Sequence, residues 1–255
     1  MPTSNSYKLL ESLVKYYRKQ KNDTDELEIR FKTAPYNTLT RIDFDNVINK
    51  LRNLGFENEF PNGHYRLNIW NEFAKSGKFR MSNIRTELHN IYNVQKFCKT
   101  NQIDIEDNSV KFVRKHRRKI SEIDYNTIYN PDGKKSPTSE NSVQTDRFIA
   151  PVDFNDFEFR VNYKTEEQLN KSDRIVSGIM QNWSGMKKKF RFIKRYSFKK
   201  QGVPFKIDCS IVKTSSRELT YKITDSQLFN SNEHYEIEIE FTESRLSLNE
   251  VSLDL

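Results

Sequence analysis

Cysteine is nearly absent: Cys98 and Cys209 are the only two in 255 residues. That excludes a disulfide framework and a cysteine-built zinc site. Glycine and proline are scarce, at seven each, which excludes collagen-like and linker-dominated classes. No apolar run approaches the ~18 residues of a membrane span, and the first ten residues lack the charged and apolar regions of a signal peptide. The sequence therefore predicts a soluble, intracellular protein with no membrane partner. Histidine is rare too. His64, His89, His116 and His234 show no metal-ligand spacing, and each reads as structural or exposed.

What the chain does have is aromatic residues and positive charge. Eighteen Phe and twelve Tyr help bring the aromatic content to 13%. Disordered chains are poor in such residues, so this one is predicted to fold. Lys plus Arg outnumber Asp plus Glu by 43 to 35, a net charge of +8. A basic surface favours polyanionic partners.

Helical spacing runs through residues 5–20 (Leu9, Leu10, Leu13, Val14, Tyr17) and 40–54 (Phe44, Val47, Ile48, Leu51, Leu54). Further helices are predicted over 85–99 and 165–180. Alternation predicts strands at 26–31, 111–119, 157–164, 189–198, 205–213 and 235–241, with a shorter one at 78–81. The stretch 126–145 is rich in Asn, Ser, Asp and Pro and holds Pro131-Asp132-Gly133. It predicts a mobile surface insertion within one domain spanning 1–255.

The polar faces of these strands are sorted by sign. Glu26, Glu28 and Arg30 share one face near the start, and Glu236, Glu238 and Glu240 share one face near the end. Between them lie Arg160, Asn162 and Lys164; Arg191 and Arg195; and Lys206, Asp208 and Ser210. Three glutamates on one strand face repel, and either full exposure or a cation relieves them. Two such strands side by side make a carboxylate cluster suited to Mg²⁺ or Mn²⁺, which prefer oxygen ligands. Basic strands facing that cluster complete a polyphosphate site. Against this stands the plain alternative that any single Glu-x-Glu strand is a solvated face. Two of them near opposite ends, with basic alternating strands between, shift the balance toward a site. The run 115–119 lines a tunnel, binds nucleic acid non-specifically or lies in solvent.

Glu26-Leu-Glu-Ile-Arg-Phe and Tyr235-Glu-Ile-Glu-Ile-Glu-Phe resemble the paired acidic strands of the triphosphate tunnel metalloenzymes. The nearest pattern is the RNA 5′-triphosphatase module of mRNA capping enzymes from large DNA viruses. Residues 191–198 followed by 206–213, and the run 159–167, resemble further family strands, so the likeness covers roughly residues 20–245. It implies an α+β fold: an antiparallel eight-stranded β-barrel, a tunnel with a polar interior and helices packed outside. It also implies metal-dependent removal of the γ-phosphate from 5′-triphosphate RNA, the first step of capping, with hydrolysis of nucleoside triphosphates (NTPs) as a side activity. The implied metal ligands are Glu26, Glu28, Glu238 and Glu240, holding Mg²⁺ or Mn²⁺. Glu236 or Glu238 is the implied water-orienting residue. The implied substrate contacts are Arg160, Lys164, Arg191, Arg195, Lys206 and Asp208, with Arg195 also in the catalytic set. Arg80 and Arg114 are further candidates, whereas Ile193 stands where relatives often carry a base.

Lys206-Ile-Asp-Cys209 superficially matches a guanylyltransferase nucleophile motif, but it lacks the glycine and residues 214–255 are too few for that domain. The implied partners are guanylyltransferase and methyltransferase modules, fused or associated, in a viral factory or virion. Two other readings stay open. One is a tunnel-fold phosphatase acting on free nucleotide, inorganic triphosphate or thiamine triphosphate. The other is a non-catalytic domain, either a basic RNA-binding β-domain or an interaction module with a solvated acidic edge.

Overall fold

The computed structural model describes residues 4–20, 22–31, 38–129, 147–155, 158–216 and 218–242. In chain order these form α1 (Ser4–Gln20), β1 (Asp25–Phe31), α2 (Arg41–Asn53), β2 (Glu57–Asn58), β3 (His64–Lys75), β4 (Lys78–His89) and α3 (Ile91–Thr100). Next come β5 (Val110–Arg117), β6 (Lys119–Ile120), α4 (Glu122–Tyr129), β7 (Arg147–Phe148), β8 (Val152–Phe154), β9 (Phe159–Leu169) and α5 (Arg174–Gln181). The last strands are β10 (Lys188–Lys199), β11 (Phe205–Thr214) and β12 (His234–Phe241).

Eight of the strands close on themselves. The order β1-β12-β11-β10-β3-β4-β5-β9 returns from β9 to β1, and every pairing is antiparallel. The fold is α+β, an eight-stranded antiparallel barrel with helices outside, as the sequence implied. Closure removes the open edges that an acidic or basic strand would otherwise present.

The apolar core lies outside the barrel wall, between strands and helices. On one side Leu67, Leu88, Phe112 and Phe190 meet Val94 and Phe97 of α3, Val176 of α5, and Trp183. On another, Leu27, Val161 and Tyr163 meet Leu13 and Tyr17 of α1 and Ile128 of α4. On the third, Phe198, Cys209 and Ile237 meet Phe44, Ile48 and Leu51 of α2. Burying the odd-numbered face of β1 and β12 on helices turns their even-numbered glutamates inward, because successive side chains alternate. Helix α2 starts at a capping box in which Thr40 and Asp43 satisfy each other's backbone amides.

The structure corrects three readings. The helix expected over 85–99 is two elements. β4 runs to His89, Asn90 turns the chain at φ 66°, and the Asn90 side chain then caps α3 by accepting from the Asn93 amide. The helix expected over 165–180 starts only at Arg174, because Thr165 to Leu169 continue β9 and pair with β5. Good helix formers such as Glu166, Glu167 and Gln168 are overridden there by barrel pairing. Third, residues 126–129 of the expected insertion are the end of α4, while 130–146 lie outside the described residues. β3 went unread, although His64, Arg66, Asn68 and Trp70 alternate with Tyr65, Leu67 and Ile69.

Candidate active site in the barrel lumen

The two acidic strands are neighbours. In the β1–β12 ladder Glu28 lies opposite Glu240 and Arg30 opposite Glu238. In the next ladder Asp208 faces Glu238 and Lys206 faces Glu240. On the other flank Glu26 lies opposite Lys164 of β9. At mid-length these side chains enclose a chamber of about 80 Å³. Its wall includes Glu26, Glu28 and Glu238, with Arg195, Arg191, Arg66, Arg85 and Lys115.

Each carboxylate is already engaged by a cation. Lys115 Nζ lies 2.5 Å from Glu26 Oε2, 2.5 Å from Glu166 and 3.9 Å from Glu28. Lys164 donates to Glu28 at 3.1 Å. Arg30 donates from Nε to Glu238 at 2.7 Å, and Arg191 pairs with Glu236. Lys206 reaches Glu240 at 3.0 Å. Arg195 is the hub: Nη1 donates to Asp208 at 2.9 Å, Nη2 to Glu238 at 3.2 Å and Nε to the Ser210 hydroxyl at 3.1 Å. Ser197 donates to the other Asp208 oxygen at 2.6 Å. The sequence offered exposure or a metal as the relief for crowded glutamates, and the lumen supplies a third, interleaved cations from every wall.

That relief is uneven. Burial pushes Glu26 up to about 7, and Glu166, Glu28 and Glu240 add to it despite Lys115. Burial opposes ionisation of Glu238 as well, but Arg30 and Arg195 outweigh it and hold Glu238 at about 2. Glu166 is likewise held at about 2, where Lys115 and Arg85 overcome burial. Burial works against the Arg195 charge, yet Asp208 and Glu238 raise its pKa above the ordinary value. Glu26 is the poorly compensated carboxylate of the set.

The donor set fits a divalent ion in kind. It is all oxygen, and it brings Glu28 and Glu240 close enough to Glu26 to raise the cost of charging Glu26. Among the described residues no group of three or more His, Cys, Asp or Glu side chains converges on one point. Each of the four glutamates is instead paired with a basic side chain.

The expected substrate contacts divide. Lys164, Arg191, Arg195, Lys206 and Asp208 all face the lumen. Arg160 stands at the rim, where Nε and Nη2 are held by Asp153 at 2.6 and 2.8 Å. Arg114 lies on the outer face against Glu167 at 3.0 Å, and Arg80 is exposed on the β3–β4 hairpin. Ile193 borders the chamber, so that position brings no cation to it.

Five charged lumen residues escaped the sequence reading. Arg66 sits on the unread β3, and Arg85, Glu87 and Glu166 lay inside segments read as helix. Lys115 lay in the ambiguous basic run. Glu87 is buried between Arg85, at 2.6 Å, and Arg66, at 3.4 Å. The histidines were read singly, but neighbouring strands bring two together. His89 Nδ1 lies 3.1 Å from His64 Nε2, and His89 Nε2 lies 2.9 Å from Glu87.

No protein-family model matches the chain, and no curated protein matches it in sequence. Solved structures do match. The RNA triphosphatase domain of a trifunctional mimivirus mRNA capping enzyme superposes with a TM-score of 0.56 at 16% identity, covering 98% of this chain and 93% of that one. A triclinic structure of the mimivirus capping-enzyme triphosphatase gives 0.56 at 17% identity, over 97% and 92%. The chain has the fold of that viral triphosphatase domain along nearly its whole length.

Proposed function

We propose that the chain is a divalent-metal-dependent RNA 5′-triphosphatase that removes the γ-phosphate from nascent RNA as the first step of capping. The observation that supports it is the lumen itself: glutamates from opposite ends of the chain on adjacent inward-facing strands, across from Arg195, Arg191, Arg66 and Arg85. Glu26, Glu28, Glu238 and Glu240 would hold Mg²⁺ or Mn²⁺, which supplies Lewis-acid polarisation of a γ-phosphoryl oxygen.

The protein's own groups do the rest. Arg195 and Arg191 grip the non-bridging oxygens and carry the charge that shifts toward the leaving diphosphate. Lys115 and Lys164, freed from Glu26 and Glu28, add to that grip. Water attacks phosphorus, the bond to the β–γ bridging oxygen breaks, and orthophosphate and a 5′-diphosphate end leave. Glu238 is engaged by two arginines and is a poor proton acceptor. Glu236, paired with Arg191, is the better residue to orient the water. The handle is a triphosphate, so no base-specific reading follows. In this reading the chain works beside, or fused to, guanylyltransferase and methyltransferase modules, in a viral factory or virion. The trifunctional enzyme that carries the similar domain supports such an arrangement.

Release of phosphate from γ-labelled RNA, with and without Mg²⁺ or Mn²⁺, tests the proposal. Metal-dependent release that ATP competes for only weakly is expected. Equal use of ATP or inorganic triphosphate favours the free-nucleotide reading, and no release under either metal overturns the enzyme. Salt-sensitive RNA binding that ignores the 5′ end and the metal would mark a simple RNA-binding domain.

Arg195→Lys tests the grip. Lysine keeps the charge but loses the fork that spans Asp208, Glu238 and Ser210. Phosphate release is expected to fall about a hundredfold, with the protein still folded by circular dichroism. A variant with normal turnover would remove Arg195 from the catalytic set.

A further inference from the structure

The two ends of the tunnel differ. One mouth is built by the end of β1 and the starts of β9 and β12. The other is built by the start of β3, the end of β4 and the start of β11. At the first mouth lies a cavity of about 410 Å³. At the second, His64, His89 and Glu87 bond one another across the opening.

We propose that the first-mouth cavity holds the 5′-terminal nucleoside of the RNA, so that substrate inserts from this side, triphosphate first. This rests on the triphosphatase reading and adds to it a nucleoside subsite and a direction.

Size is the first argument. The mid-length chamber, at about 80 Å³, is far too small for a nucleoside, whereas the mouth cavity falls in the range of small-molecule pockets. Continuity is the second. Arg30 borders both spaces, Lys164 reaches from the mouth cavity to Glu28, and Glu236 reaches from it to Arg191. A triphosphate whose nucleoside rests in the mouth therefore meets Arg30, Lys164 and Glu236 before it meets Glu26, Glu28 and Glu238 of the chamber.

Chemistry is the third argument. Arg160 lines the cavity at its solvent edge, and its side chain is 41% exposed. Asp153 takes Nε and Nη2 and fixes the guanidinium, which leaves Nη1 for another acceptor. That is the place for the phosphodiester after the first nucleotide, a group that ATP and inorganic triphosphate lack. His234, on the lumen-facing parity of β12, borders the same cavity and gives ring surface for a base without selecting its identity, while the Tyr235 ring packs outward on Phe44.

The opposite mouth is poorly suited to a nucleoside. There His64 bonds His89, His89 bonds Glu87, and Phe60 lies against the His64 ring with centroids 5.1 Å apart. Lys206 is engaged by Glu240 and Asp208.

Photocrosslinking tests the direction without turnover. The probe is RNA with 6-thioguanosine as its first base and a β,γ-imido 5′-triphosphate, irradiated in Mn²⁺ and mapped by mass spectrometry. Adducts are expected within residues 159–164 or 233–236. Adducts at Phe60, His64 or His89 overturn the proposal. So does the absence of any adduct from a preparation that releases phosphate from ordinary RNA. A preparation that releases none fails the triphosphatase reading itself, and the proposal with it. In kinetics, Arg160→Gln is expected to raise KM for triphosphate RNA about three- to tenfold more than KM for inorganic triphosphate. An equal effect on both substrates also overturns it.

Discussion

Glu26→Gln is expected to reduce phosphate release by at least a factor of about one hundred and, in the same protein, to raise the melting temperature of the metal-free form above pH 7. The first effect follows from losing one carboxylate of the four that would hold the cation. The second follows from the crowding around it. Glu26 is the one acidic group of the set pushed up, to about 7, by burial and by Glu166, Glu28 and Glu240. A carboxyl whose folded pKa lies above its unfolded value binds its proton more tightly in the native state. Stability therefore falls as pH rises from about 4.5 to about 7; the whole penalty is present above that window and absent below it.

Glutamine removes the charge and keeps the shape. Lys115 is not stranded by the change, since Glu166 remains at 2.5 Å and Glu28 at 3.9 Å. The gain is roughly 3 kcal/mol, or about 6–12 °C for a chain of this size. Thermal melts at pH 4 and pH 8 check it: the variant should match the parent at pH 4 and exceed it at pH 8. A variant less stable than the parent at both values would show that Glu26 is held by Lys115 as a structural ion pair, and the site would lose its most strained ligand.

The sequence carried more of the site than of the fold around it. The acidic strands were legible because alternation is local: Glu26 and Glu28, or Glu236, Glu238 and Glu240, declare a shared face without help from the rest of the chain. That the two faces would meet was not a local property. It depends on β1 closing the barrel between β9 and β12, which the family likeness implied and the ladders show. The opposite wall was harder to read. Arg85 and Glu166 sit in segments whose apolar spacing also suits a helix, and only pairing with β3, β5 and β9 decides for strand. Arg160 shows the converse limit. Its parity is right, yet its position at the start of β9 puts it at the rim and beside Asp153. Parity fixes the face of a strand, and depth along a tunnel is set by the register of all eight.

Metal and polyphosphate are expected to bind this lumen together and each only weakly alone. The chamber is closed by its own ion pairs, with Lys115 on Glu26, Lys164 on Glu28, Arg30 and Arg195 on Glu238, and Lys206 on Glu240. A divalent ion arriving alone draws the glutamates away and leaves buried ammonium and guanidinium groups without partners. A triphosphate arriving alone takes the cations and leaves carboxylates bare in the same low-dielectric space. Removing one partner of a buried pair is strongly destabilising. When both ligands arrive, the glutamates go to the metal, the bases go to the phosphates, and the two ligands neutralise each other, so no charge is left uncompensated. Coupling of this kind is reciprocal: each ligand tightens the other by the same factor, typically about 5- to 150-fold. Calorimetric titration of imidotriphosphate with and without Mn²⁺, and of Mn²⁺ with and without imidotriphosphate, measures both sides of the cycle. A metal ion that saturates the protein equally well in the absence of the anion would show that the glutamates are already free to receive it, and that the interleaved cations do not hold the site shut.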